Sequence, residues 1–239
     1  MRNIIYQPWG GLGDNLAHSC IPKLCFDNNI KCYLSKHNAF RNQQIHDFVW
    51  GYNPYVEVEK KDSIDLTWME EGSKYNVKGL NHFEVIQQAY GFNPVSHYPY
   101  IYYNPIDDKR VTGKTIIDLT SHSISNDYNT ANVLKVIKNL QIDDTTLVIK
   151  HTNLNYGKTY SFEDRYNQIT INSLEEYSNI IASAARFITL HSGQSILAST
   201  IKNKCNNNLH IDVLTVTRYL PENNPGGYFF KNAQYYNCE

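Results

Sequence analysis

The stretch Phe187-Ile-Thr-Leu-His-Ser-Gly-Gln-Ser-Ile-Leu-Ala198 changes its period in the middle. Its first four residues form an apolar run short enough for a buried strand, His191-Ser-Gly193 breaks the run, and Gln194 to Lys202 resumes at helical spacing. Just upstream, Ser173-Leu-Glu-Glu176 has the form of a capping box, and the helix it predicts, through Ala184 or Ala185, carries Leu174, Tyr177, Ile180 and Ile181 on one face. Helix, buried strand, small-residue turn and helix in succession form the unit of a parallel sheet covered by helices.

The same alternation runs outward in both directions. Thr115 to Leu119, Thr146 to Lys150 and Gln168 to Ile171 read as strands, Asn129 to Leu140 as a helix, and His210 to Val216 as the last strand. Toward the N-terminus, Asn3 to Gln7 is a strand, Gly10 to Gly13 a glycine-rich turn, and about Asn15 to Asp27 a helix. A strand at Lys31 to Leu34, a helix at Phe40 to Trp50, a third strand at Tyr55 to Val58 and an Asn81-capped helix to Tyr90 follow. His97 to Gly113, with Pro99, Pro105 and Gly113 among tyrosines, reads as a linker. The fold class expected is therefore α/β, with two Rossmann-like halves over residues 1–105 and 106–220 and a cleft between them. The aromatic tail, 221–239, is expected to pack back on the body.

Composition removes several function classes. Twenty-two basic against 23 acidic residues, a formal charge of −1 and a pI near 6.7 give no bulk attraction for a phosphate backbone, so no nucleic-acid partner is expected. No apolar run is long enough to cross a bilayer and the first residues enter a strand, so a cytoplasmic protein is expected. Cys20, Cys25, Cys32, Cys205 and Cys238 are odd in number and contain no C-x-x-C, which indicates neither a disulfide framework nor a zinc site.

Two motifs carry chemistry. In Gly10-Gly-Leu-Gly-Asp-Asn-Leu16, glycines between a strand and a helix let the backbone turn sharply and approach a ligand, while free N–H groups favour an anion or a hydroxyl. A dinucleotide fingerprint fails there, because its third glycine falls at Leu16, and Ser35 and Lys36 stand where an acidic residue should hold a ribose. Asp14 reads either as a cleft carboxylate or as a helix cap. Trp9 beside the loop reads as a platform for an acceptor or as a core aromatic. In the second motif, Ser192, Gly193, Gln194 and Ser195 gather hydroxyls and unpaired N–H groups at one helix start, a seat for a diphosphate or simply a capped helix. Further donor contacts are expected at strand C-terminal ends: Thr120, Ser121 and His122; Lys150, the preferred cation, with His151; His191; and Arg218. Arg186 precedes its strand and is placed at the opposite edge.

The order of these features resembles the inverting GT-B glycosyltransferases of the ADP-heptose:lipopolysaccharide heptosyltransferase type (glycosyltransferase family 9). The likeness is carried by Ser173 to Ser199 and by Met1 to Val58, including Asn53-Pro54-Tyr55-Val56. It implies transfer of a sugar from a nucleotide-sugar donor to a hydroxyl of a glycan or other saccharide, with inversion and without metal or other cofactor. It further implies Asp14 as base, Gly11 and Gly13 in the acceptor-side loop, and Ser192, Gly193 and Ser195 on the donor phosphates. The family's usual aspartate before Ser/Thr-Gly is His191 here, and its following histidine is Ile196. Fucosyltransferases with a GGLGN-type loop are a neighbouring resemblance, but their His-x-Arg-Arg-Gly-Asp signature is absent, as is any D-x-D. A catalytically silent nucleotide-sugar or sugar binder, and another nucleotide enzyme such as a methyltransferase, remain the alternatives.

Overall fold

The computed structural model describes residues 1–69, 80–121, 127–152, 165–224 and 227–239. They form two compact units: Met1–Asn104 with Asn224–Phe230, and Pro105–Asn223 with Lys231–Glu239.

In the first unit, β1 (Ile4–Ile5) pairs in parallel with β2 (Tyr33–Leu34). Between them the expected single helix is two, α1 (Leu12–Ala17) and α2 (Ile21–Asp27). Pro22, in the first turn of α2, lacks an N–H and would clash with the preceding turn of a continuous helix, so the chain breaks before it. The third strand expected at Tyr55–Val58 is reduced to isolated bridges, Cys32 with Val56 and Ser35 with Lys61. Asn53 is the reason: its Oδ1 accepts from Tyr55 N at 3.1 Å and its carbonyl from Val56 N at 3.5 Å, turning both amides out of a ladder. The expected helix at Phe40 to Trp50 starts later, with the Asn42 side chain capping α3 (Gln43–His46), and continues as a π-turn over Asp47–Gly51. Helix α4 (His82–Ala89) has the expected Asn81 cap, closed reciprocally by Glu84, and Gly91 beyond it adopts φ +89°, which favours glycine. Phe230 stacks on Phe83 at 5.2 Å, and Asn81 Nδ2 donates to Phe229 O, so this part of the tail completes the first unit.

The second unit is a six-stranded, wholly parallel sheet. Its elements are β3 (Thr115–Asp118), α5 (Thr130–Asn139), β4 (Leu147–His151), β5 (Asn167–Ile171), α6 (Leu174–Ser183), β6 (Arg186–Leu190), α7 (Gly193–Lys204), β7 (His210–Thr215) and β8 (Gln234–Asn237). A turn of 3₁₀-helix, Thr217–Tyr219, follows β7. His210–Val216 is thus not the last strand, since the tail adds β8 beside β7, with Asp212 opposite Gln234 and Thr215 opposite Asn237. The strand order β5-β4-β3-β6-β7-β8, counted within the unit as 3-2-1-4-5-6, is that of the Rossmann fold.

Strand alternation sorts the two faces. Ile117, Val148, Ile188 and Leu214 pack with Val133 and Ile137 of α5. Asp118 and Phe187, of the opposite parity, meet Tyr177 of α6, and α6 packs against α7. Full burial of each branched aliphatic here is worth about 1.5–3 kcal/mol. At α6 the expected capping box is half formed: Ser173 Oγ accepts from Glu176 N at 3.1 Å, but Glu176 Oε2 accepts from Asn172 N rather than from Ser173.

Candidate functional site

Adjacent strands β3 and β6 lead to connections on opposite faces of the sheet, so the loops leaving their C-terminal ends part and open a crevice. Thr120 and the buried Ser121 lie on one side of it, and His191 and Ser192 on the other. Gln194 joins the two sides, donating from Nε2 to both Thr120 O and Thr120 Oγ1 at 3.1 Å.

The start of α7 is organised from within. Ser192 N donates to Ser195 Oγ at 3.2 Å, and Ser195 Oγ donates back to Ser192 O at 2.8 Å. The Ser192 hydroxyl engages Leu190 O at 3.2 Å and Gln194 Oε1. Both hydroxyl protons therefore serve the turn. What an anion would meet is the first-turn amides, which have no acceptor within a helix, and the positive end of a 12-residue helix dipole.

Sequence reasoning missed the group that ties this crevice together. Asp118, fully buried at the end of β3, accepts from Tyr177 OH at 2.6 Å and from His151 Nε2 at 2.8 Å on Oδ2. On Oδ1 it accepts from Thr120 Oγ1 at 2.6 Å and from Thr120 N at 3.0 Å. Burial pushes the Asp118 carboxyl up, but His151 and these donors outweigh it and hold the group below its ordinary value. His151 mirrors this: burial depresses it, the Asp118 charge and hydrogen bond overcome burial, and the net direction is upward. A lone Asp ending the otherwise apolar run Thr115-Ile-Ile-Asp118 was the available signal.

Other expected contacts fall elsewhere. Lys150 shares its parity with Val148, on the α5 face, whereas His151, Asp118 and α7 belong to the other. The Lys150 side chain makes no hydrogen bond or ion pair with the described residues. Arg218 is paired with Asp127 and lies over the Tyr219 ring. His191 continues the ladder to Leu214 O at 2.9 Å, and its ring packs edge-on to Tyr219 and Tyr235. Arg186 opens β6 at the opposite end of the sheet, paired with buried Asp212 at 2.6 Å. His122 and residues 153–164 lie outside the described residues.

The glycine loop of the first unit has its own geometry. Gly11 caps α1, so Gly13 is already helical, and Asp14 at the third position accepts from Gly11 N on Oδ2 at 3.1 Å. The N-cap is thus Gly11 rather than Asp14, because the helix starts at Leu12, and Asp14 closes the cap from inside the first turn. A Cβ on Gly11 would stand 2.6 Å from Asp14 Oδ2 and 3.7 Å from an Arg41 guanidinium nitrogen, and a Cβ on Gly10 would stand 2.6 Å from Arg41 N. Burial raises the Asp14 carboxyl, against the pull of the Gly11 N–H and Arg41. Trp9 is 47% exposed and meets Trp68 edge-on at 6.0 Å, so it is no core aromatic. Trp68 in turn covers buried His18, whose imidazole is driven down to about 3 by desolvation and whose Nδ1 lies 3.2 Å from Asp14 O.

No family model matches the chain, and no curated protein does. Among solved structures, it is similar to the dodecameric iron-containing heptosyltransferase TibC in complex with ADP-D-beta-D-heptose, at 16% identity and a TM-score of 0.62 over 95% of this chain and 62% of that one. A second structure of TibC, from enterotoxigenic E. coli H10407, gives 16% and 0.60, with 95% of this chain and 64% of that one covered. The E. coli heptosyltransferase WaaC with ADP gives 9% identity and 0.53 over 99% of this chain and 93% of that one. The chain therefore spans under two thirds of TibC and nearly all of WaaC. At these identities the likeness is one of fold: this chain is built as those heptosyltransferases are.

Proposed function

We propose that the chain is a glycosyltransferase of GT-B type that moves a hexosyl or heptosyl group from a nucleotide-sugar to a saccharide hydroxyl. The observation that carries the reading is the crevice between β3 and β6, where the start of α7 offers first-turn amides and Gln194 ties it to Thr120. In this reading the donor diphosphate sits on Gly193, Gln194 and the flanking serines, and the amides and helix dipole stabilise it as it leaves, without metal. TibC binds ADP-D-beta-D-heptose, so ADP-linked sugars head the list of donors.

The first unit takes the acceptor. Trp9 stacks on a sugar ring, and Asp14 removes the hydroxyl proton as the oxygen attacks, which gives inversion in a single displacement. A carboxylate raised by burial is a better base toward an alcohol than an ordinary aspartate, and the gain comes as the transition state develops. A nucleotide-sugar binder without turnover is the second reading, favoured by His191 packing against tyrosines where the resembled family has an aspartate.

Gly193→Trp tests the seat. Calorimetry should show loss of nucleotide-sugar affinity with an unchanged circular dichroism spectrum; retained affinity rejects the site. Turnover of a bound donor separates the enzyme from the silent binder.

A further inference from the structure

Among the described residues, the diphosphate seat is made of amides and engaged hydroxyls, and the two cations expected from sequence do not join it. Lys150 belongs to the other face of the sheet, and Arg218 is taken by Asp127. On the α7 face, at the end of β4, stands His151. Its Nε2 is fixed by Asp118 and lies 3.2 Å from Thr120 Oγ1, the same hydroxyl that accepts from Gln194. A hydrogen-bonded chain therefore runs from the buried carboxylate through Thr120 and Gln194 to Ser192 at the start of α7.

We propose that His151, as an imidazolium, is the cation of the donor seat, and that Asp118 is the positioning residue that keeps it charged and oriented. This rests on the glycosyltransferase reading and deepens it. The pair works by division of labour. Asp118 occupies Nε2 and supplies the balancing charge from the buried side, which leaves Nδ1–H as the remaining donor for a phosphate oxygen. The groups facing the ring support this. From β3 it meets Asp118, from α6 the Tyr177 ring at 5.4 Å, and from β5 its register partner Ile171, which carries no charge. Asp118 is thus the one ionised neighbour among these, and it favours the protonated ring. Tyr177 remains a phenol, because burial and the Asp118 charge both raise it.

The consequence is a pH-dependent donor affinity. His151 is shifted upward from 6.5, so affinity should be full below that value and fall as pH rises through the ring's own titration. Nucleotide-sugars are the right probes, because their diphosphate diesters keep a constant charge over this range, whereas free nucleoside diphosphates do not. Calorimetric affinity for ADP-, UDP-, GDP-, CDP- and dTDP-sugars would be measured from pH 5.5 to 9. The best-bound one should weaken about tenfold across the range, roughly the worth of one charge-assisted hydrogen bond. His151→Gln should lose that tenfold at pH 6 and give a flat profile. In Asp118→Asn the limb should move to lower pH, a shift that a merely structural role would not produce. The imidazole carbon resonances of the unmodified protein supply a readout independent of both variants: His151 should titrate above 6.5, and higher still with donor bound. A flat affinity profile in the unmodified protein, or a His151 resonance indifferent to donor, overturns the inference and leaves the seat standing. Failure of every nucleotide-sugar to bind overturns both.

Discussion

Removal of one oxygen atom probes the Asp118 cluster in isolation. In Tyr177→Phe the ring remains, with its edge-on contacts to His151 at 5.4 Å and Phe187 at 6.2 Å, and only the hydroxyl donating to Asp118 Oδ2 is lost. A buried hydrogen bond to a charged group is worth about 1.5–3 kcal/mol. The cost should lie at the low end, about 1.5–2 kcal/mol, because Oδ2 keeps its bond from His151. For a chain of this size that is a fall in melting temperature of roughly 3–8 °C. The choice of probe matters. All three tryptophans, Trp9, Trp50 and Trp68, belong to the first unit, so their fluorescence does not report on the second unit directly. Amide exchange in β3 and β6 reads the second unit directly. A cost under about 0.5 kcal/mol near pH 6 would refute the claim that this hydroxyl is satisfied by an ionised Asp118.

Other consequences follow from the same geometry. Asp118, held below its ordinary 3.8, adds stability above that pH and loses it as pH falls through its folded value. His151, held above 6.5, adds stability below that pH and loses it as pH rises through its folded value. The gap between the unmodified protein and Asp118→Asn should therefore be widest between 3.8 and 6.5, at about 3 kcal/mol, and denaturant titrations that show the same gap at every pH would contradict it. Asp14→Asn should lower transfer turnover by roughly 10² or more with donor affinity nearly unchanged, and the acid limb of kcat/KM should lie above 3.8, since burial raises this group. Gly10→Ala would drive a Cβ to within 2.6 Å of the Arg41 backbone, at a cost of about 1–3 kcal/mol by overpacking. A neutral result in the tryptophan-monitored melt would contradict that close approach.

The second unit was more legible in the sequence than the first, for physical reasons. Buried parallel strands such as Phe187–Leu190 are continuous apolar runs between helices with strong caps, and both signals are local. In the first unit the strands are two residues long, and Pro22, Asn42 and Asn53 redirect the backbone by hydrogen bonds or their absence within a few residues. Strand β8 was hidden because Gln-Tyr-Tyr-Asn at 234–237 has no alternation and earns its place only by pairing with β7. The site divides along the same line. Ser192 to Ser195 and Thr120 were readable as strand ends followed by small residues. The Asp118–His151–Tyr177 cluster joins residues from three elements and was not, because proximity in a sheet depends on strand order. Lys150 and His151 differ by one residue of strand parity, and so by the face of the sheet to which each belongs.

Amide hydrogen exchange with and without bound nucleotide-sugar measures the central claim most directly. Slowed exchange is expected at Gly193, Gln194 and Ser195 and at Thr120 and Ser121, the two sides of the crevice between β3 and β6. A donor that binds tightly yet protects only the glycine loop at 10–14, or leaves the start of α7 exchanging as in the free protein, would contradict the account.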